Sequence, residues 1–298
     1  MALYSLNGQA INNAYDVIGD IAIGSYDVDG NPLNSHVDYS DYTSEPYCSV
    51  SISQMQGFDI YNDVIFQFRA NSSTVSNVMC TIDAVNKQII KNGIQSVSDH
   101  GDSASFSSEK YDANDDYPLI YVTADTTPCK VYVNRVTQTS SELIKTFVFP
   151  TDKAGYYGAH AYDEQNNIMY IVAYTEQNYQ TDNGGSNKTL VSAWNMADLT
   201  DNGDGTFTPT FISSFTRPFI YVMQGQQFHD NMIWIASGYT GSTKSYIHAI
   251  SPINGALKYT VDLNTTTEVE GMSFISDHDM VVGLAGGIYT KYTFAKKE

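Results

Sequence analysis

Positive charge is scarce in this sequence. Its 298 residues carry 15 Lys and Arg against 33 Asp and Glu, a formal net charge of −18, and charged residues of either sign make up only 16% of the chain. A binder of the nucleic-acid backbone needs a basic stripe to displace counterions, and none is present. Long apolar runs are missing too. A membrane helix takes about 18 consecutive apolar residues, whereas a typical run here is Met232-Ile233-Trp234-Ile235-Ala236. The cysteines are Cys48, Cys80 and Cys129, an odd, widely spaced set that matches neither a disulfide framework nor a zinc pattern and reads as buried or idle thiols. No cofactor motif is found; a cation held by His100, His160 and Glu270 is left open, though no spacing supports it. The first residues, Met1 to Gly8, lack the basic and apolar stretches of a signal peptide.

What is present is apolar and hydroxylated. Hydrophobic residues make up 42% of the chain and aromatics 13%, with 23 tyrosines. That is enough for a sizeable core and argues against disorder. Short runs rich in Tyr, Val, Ile and Phe, broken by Asn, Asp and Gly, recur from end to end, as in Val64-Ile65-Phe66-Gln67-Phe68 and Leu119-Ile120-Tyr121-Val122. No twelve-residue stretch follows a helical period. The fold class is all-β.

The runs are organised by a repeat. Gln56-Gly57 leads through a turn into Val64-Ile65-Phe66, and Gln224-Gly225 leads with the same spacing into Met232-Ile233-Trp234. His160-Ala161, Glu270-Gly271 and, after a longer insert, His100-Gly101 head similar units. Further strand signals follow each head, and four strands per unit of about 40 to 50 residues is the period of a propeller blade. The expected architecture is a five-bladed β-propeller over residues 51–298, with six blades as the alternative. Residues 1–50 would supply the closing strand, or a hairpin around Asp16 to Ile23. The polar stretch Thr175 to Lys188 reads as a loop projecting from one face.

Gln56-Gly57-Phe58, the run His100-Gly101-Asp102-Ser103-Ala104-Ser105-Phe106, Asp116-Tyr117-Pro118-Leu119-Ile120-Tyr121-Val122 and Cys129 to Val136 carry a resemblance. Over about residues 50 to 136 the chain resembles the phage receptor-binding-protein and teichoic-acid-biosynthesis-C-like β-propellers, with similar chains in gut Bacteroides and their phages. The resemblance implies a propeller on a phage tail that attaches to a cell-surface polysaccharide. It also implies other tail or virion proteins as partners, self-association, and location in a virion assembled in the host cytoplasm. A secreted or cell-surface protein is the alternative if a leader was removed. No catalytic motif carries over, and any attachment or trimerisation domain would be absent or on another chain.

Innermost propeller strands line a central channel, so repeat-equivalent residues should converge. Gln56, His100, Asp102, His160, Gln224 and Glu270 are the expected channel residues. They would either bind a sugar or hydrogen-bond neighbouring blades and fix their register. A glycoside hydrolase would need two of Asp59, Asp102, Asp163 and Glu270 to flank a bond. Tyrosines in polar loops suit sugar faces or a protein contact. The loop candidates are Tyr156, Tyr157, Tyr179 and Tyr239, then Tyr39, Tyr42, Tyr47 and Tyr117. The Asp-Gly runs at Asp27–Gly30 and Asp201–Gly205 read as hairpin turns, because the twelfth residue of each run is Asp38 or Ile212 where a calcium loop needs Glu. The leading expectation is therefore a non-enzymatic recognition propeller. A glycan hydrolase and a purely structural virion propeller are the alternatives. The acidic surface suits neutral or cationic polymers and would repel a polyanion unless a local patch or a cation intervened.

Overall fold

The computed structural model describes residues 36–70, 78–97, 100–124, 126–239, 241 and 244–297. The hairpin expected around Asp16 to Ile23 and the turn at Asp27–Gly30 lie outside them. The described chain opens on β1 (Val37–Ser49). A first antiparallel sheet follows from β2 (Met55–Tyr61), β3 (Val64–Arg69), β4 (Val78–Asp83) and β5 (Gln88–Gln95). Next come β6 (Ala104–Phe106), β7 (Ile120–Ala124), β8 (Cys129–Val136) and β9 (Ser141–Phe149). After them run β10 (Tyr156–Asp163), β11 (Ile168–Tyr174), β12 (Thr189–Asp201) and β13 (Thr206–Arg217). These last two meanders count as one eight-stranded sheet, but only the parallel pairs Thr206–Thr146 and Phe207–Phe147 join β13 to β9. A further sheet holds β14 (Met223–His229), β15 (Met232–Ser237), β16 (Tyr246–Ile250) and β17 (Leu257–Asp262). The chain ends in β18 (Val269–Phe274), β19 (Asp279–Leu284) and β20 (Ile288–Lys296).

The sheet of β18–β20 takes its fourth, outer strand from β1, paired antiparallel with β20 from Val37–Lys296 to Ser49–Ile288. The first and last described strands thus share one sheet, which covers an edge that would otherwise be free. The first strands of the meanders, β2, β6, β10, β14 and β18, pack side by side in a closed succession around an axis. This is a β-propeller-type fold.

The core lies between sheets. Successive sheets face each other across five apolar clusters, for example Ile168, Tyr170 and Val172 against Ile233 and Ile235. A strand sandwiched on both faces loses the usual apolar–polar alternation, and β11 and β15 are accordingly buried at every residue. The outermost strands are wetter, as the exposed β5 shows. Tyr39 and Tyr117 depart from their reading as exposed loop residues. Tyr39 is fully buried on closing strand β1 against Trp234 and Phe294, and Tyr117 packs on Phe66. Their polar sequence neighbours disguised aromatic packing that forms only when distant segments meet. All three cysteines are buried, and no disulfide joins them. Among the described residues no helix is long and apolar enough to cross a membrane.

Candidate functional site

The inner strands place their side chains in levels along the axis. Strand pairing aligns Asp59, Ser105, Ala161, Gln227 and Ser273, opposite Phe66, Tyr121, Tyr170, Trp234 and Val281 respectively. Two residues earlier in each strand come Gly57, Ser103, Ala159, Gly225 and Gly271, and this level is closed. A Cβ on Gly57 would sit 2.7 Å from the Gly101 carbonyl oxygen and 2.8 Å from Ser103 Cα. One on Gly225 would sit 2.8 Å from Gly271 Cα. Ser103 Oγ crosses the axis to the Gln226 carbonyl at 2.7 Å. The axis is therefore no open channel: backbone packed against backbone separates two cavities, one at each end.

At one end lies a cavity of about 510 Å³ bordered by Asp59, Ser105, Tyr162, Asp163, Gln227 and the ring of His229 stacked on Phe274. Asp59 is buried, and burial pushes its carboxyl up to about 6 against the pull of its hydrogen bonds. It accepts from Ser273 Oγ at 2.5 Å, Phe106 N at 2.6 Å, Ile60 N at 2.8 Å and Gln227 Nε2 at 3.4 Å. One side chain thus ties β2, β6, β14 and β18 together. Asp163 accepts from Asn166, and Glu164 from Ser108. The carboxylates here are occupied in holding turns and sheets. Asp59→Ala is expected to cost about 2 kcal/mol of stability, because it strands the Phe106 amide and two side-chain donors; urea denaturation at pH 7 measures it.

At the opposite end a smaller cavity, about 330 Å³, collects most of the residues singled out by sequence. Gln56, His100, Asp102 and Gln224 line its floor, with Tyr157, Tyr179 and Tyr239 around them. Tyr179 arrives on the Thr175–Lys188 loop, which is closed by Thr175 N to Lys188 O and braced internally by buried Asn187. The rings of Tyr157 and Tyr179 meet edge to face with centroids 5.3 Å apart. His100 Nδ1 lies 2.5 Å from Asp102 Oδ1, and Gln224 Nε2 donates to Glu268 Oε1 at 2.8 Å. Glu270 lies beneath this cluster, buried at 6% exposure. Burial first, then the charge of Glu268, push its carboxyl up to about 9, so it carries a proton at neutral pH.

Two features mark this end, although the opposite cavity also has left-handed residues in Asp230 (φ 48°) and Asn231 (φ 58°), types that adopt that region more readily. Glu270 Oε2 and Gln56 Oε1 are buried without a hydrogen-bond partner, a state that costs free energy and is rare in native interiors. Two side-chain-bearing residues at the cavity, Tyr157 (φ 50°) and Val222 (φ 37°), also hold left-handed backbone conformations. Bulky and β-branched residues adopt these at a cost, and such strain concentrates at functional sites.

Other expected residues fall elsewhere. His160 lies two positions off the Gln56 level and is fully buried; its Nε2 meets Ser105 Oγ at 2.8 Å and its Nδ1 meets Thr123 Oγ1 at 2.5 Å. Burial drives it down to about 3, so it is a neutral brace between sheets. Tyr156 does not line the cavity. Asp59 and Asp163 sit at the far end from Asp102 and Glu270, so no pair drawn from opposite ends can flank one bond. Among the described residues no group of three or more His, Cys, Asp or Glu could hold a metal ion. Sequence reading missed Tyr174, Val222, Met223 and Glu268. Glu268 was within reach, since residues two apart on a strand share a face with Glu270.

No family model and no characterised relative matches the sequence. Among solved structures, Myxococcus xanthus glutaminyl cyclase is similar with a TM-score of 0.50 at 10% identity, covering 88% of this chain and 97% of that one. The PQQ-bound aldose sugar dehydrogenase of Streptomyces coelicolor gives a TM-score of 0.49 at 8% identity, over 86% and 99% of the two chains. A structural-genomics protein of unknown function from Bacteroides thetaiotaomicron gives 0.45 at 12%, over 86% and 73%. At such identities the likeness to the cyclase is one of fold alone: the chain shares the propeller-type architecture.

Proposed function

We propose that this protein is a five-bladed propeller that recognises a hydroxyl-rich glycan through the tyrosine-walled cavity, without chemically altering it. The observation that carries this reading is the contrast between the two ends of the axis. One end has its carboxylates consumed by the fold, whereas the other keeps buried oxygens unpartnered beneath three loop or bulge tyrosines. Unpartnered acceptors suit the hydroxyl donors of a sugar, and aromatic rings suit its apolar faces. The count of five rests on five inner strands and five inter-sheet clusters, with the parallel β9–β13 contact taken as an edge contact between blades. In line with the resemblance over residues 50 to 136, such binding would serve a phage tail, against a host surface polysaccharide and beside other tail proteins, in several copies that add avidity.

A second reading has one observation in its favour. A protonated Glu270 near Asp102 and Glu268 is the pairing of unequal carboxyls that acid-catalysed glycan cleavage uses. Equilibrium binding to a panel of purified bacterial surface polysaccharides, with product analysis of the same mixtures, separates the two. Binding without chain shortening, weakened about tenfold by Tyr179→Ala, is the expected outcome. Chain shortening abolished by Glu270→Gln would replace it with the hydrolase.

A further inference from the structure

The chemistry of the tyrosine-walled cavity is one-sided. Among the described residues no lysine or arginine lines it, and His100, paired with Asp102 at 2.5 Å, is the one side chain there that can carry positive charge. Its lining presents the carboxyls of Asp102 and Glu268, and Glu270 lies behind that lining, within electrostatic reach of Glu268, His100 and Asp102; Gln56 Oε1 in the lining and Glu270 Oε2 behind it are buried without a partner. Such a site has an excess of acceptors and negative charge that a neutral hydroxyl satisfies only in part. The walls are tyrosine rings, whose faces attract a cation. At about 330 Å³ the cavity is at the small end for ligand pockets and takes one sugar unit or a chain end rather than a long segment.

We propose that the group entering this cavity is a protonated amine, as carried by a de-N-acetylated hexosamine, held between Glu270, Gln56 and the tyrosine rings. This rests on the reading of the cavity as a saccharide site and narrows it to amino sugars. Both oxygens lie just below the accessible surface, so the ammonium donates to Gln56 Oε1 and Glu270 Oε2 as the lining side chains above them move aside. Its charge favours the carboxylate form of Glu270, whose proton leaves to solvent on binding. The charged groups facing Glu270 are His100 and Asp102 from the segment before β6 and Glu268 from its own segment. An N-acetylated sugar brings neither the positive charge nor the three donors, and its acetyl group must fit the same small space.

Calorimetric titration of the full chain with a glucosamine hexamer, its N-acetylated counterpart and spermidine tests this, run at pH 7 in two buffers of different ionisation heat. The glucosamine hexamer is expected to bind at least tenfold more tightly than the acetylated one, with proton release that Glu270→Gln removes. Equal or tighter binding of the acetylated hexamer overturns the amine inference and leaves the saccharide reading standing. Binding of spermidine but of neither hexamer supports the amine inference and removes the saccharide reading. Binding of none of the three overturns both.

Discussion

Gly57→Ala is expected to be among the most damaging single changes in the protein, costing about 3 kcal/mol. Nothing about the residue's backbone conformation demands glycine; the demand is spatial. The added methyl would lie 2.7 Å from the Gly101 carbonyl oxygen and 2.8 Å from both Ser103 Cα and N, and none of these atoms can rotate away. The Gly57 amide also donates to that carbonyl at 2.7 Å, so relieving the clash lengthens a bond between β2 and the segment leading into β6. The change therefore acts where the inner strands converge and reaches several sheets at once. Gly93→Ala is the informative companion. There φ is +71° with nothing within 4 Å, so only the backbone preference is lost, about 1 kcal/mol. Thermal denaturation of the two variants side by side should show a clearly larger fall for Gly57→Ala. Equal falls would mean that the axis is not packed shut.

The second large effect is a gain. Glu270→Gln is expected to stabilise the protein at pH 8 by roughly 5 kcal/mol and to change little at pH 4. In the unfolded chain Glu270 ionises near its ordinary value of 4.5, whereas in the fold burial and Glu268 hold its proton to about 9. Between those values the unfolded chain binds fewer protons than the native one, so wild-type stability falls as pH rises through that window. Glutamine has the same shape and no proton to lose, which frees the variant from this slope. Denaturant midpoints at the two pH values measure the difference. A variant that is equally stable at pH 8, or weaker, would place an ionised carboxylate at position 270 and remove the proton-bearing floor of the site.

Much of the fold was legible because its constraints are local. An apolar strand following a polar–Gly pair is a pattern that one blade imposes on its own sequence, and three of the heads, Gln56-Gly57, Gln224-Gly225 and Glu270-Gly271, share one level on the axis. The other two heads were misaligned for a physical reason. Where blades converge the backbone needs a small residue, and serine or alanine serves when the neighbour is glycine. The true equivalents are Asp102-Ser103 and Gly158-Ala159, so His100 lands beside the level and His160 below it. A search for small residues instead of glycine would have found the register.

The site was half legible. Tyr157, Tyr179 and Tyr239 reach one cavity because they sit on a strand bulge and two loops at the same end of the axis. Tyr39 shows the limit of that reasoning, since the same local composition on β1 delivers a ring into the core. Neither the closure of the axis nor the unequal treatment of its two ends could be read from the sequence. Asp59 and Glu270 are both acids on inner strands, and only the cross-sheet donors Ser273, Gln227 and Phe106 N make one of them structural. Those donors belong to segments 47 to 214 residues away in the chain.

The assignment of ligand binding to one end is tested most directly by ring-labelled tyrosine NMR. The tightest-binding polysaccharide of the panel would be titrated into the protein. Shifts of Tyr157, Tyr179 and Tyr239, with Tyr162 at the opposite cavity unmoved, are the predicted result. Movement of Tyr162 while Tyr157 and Tyr179 stay still would contradict it.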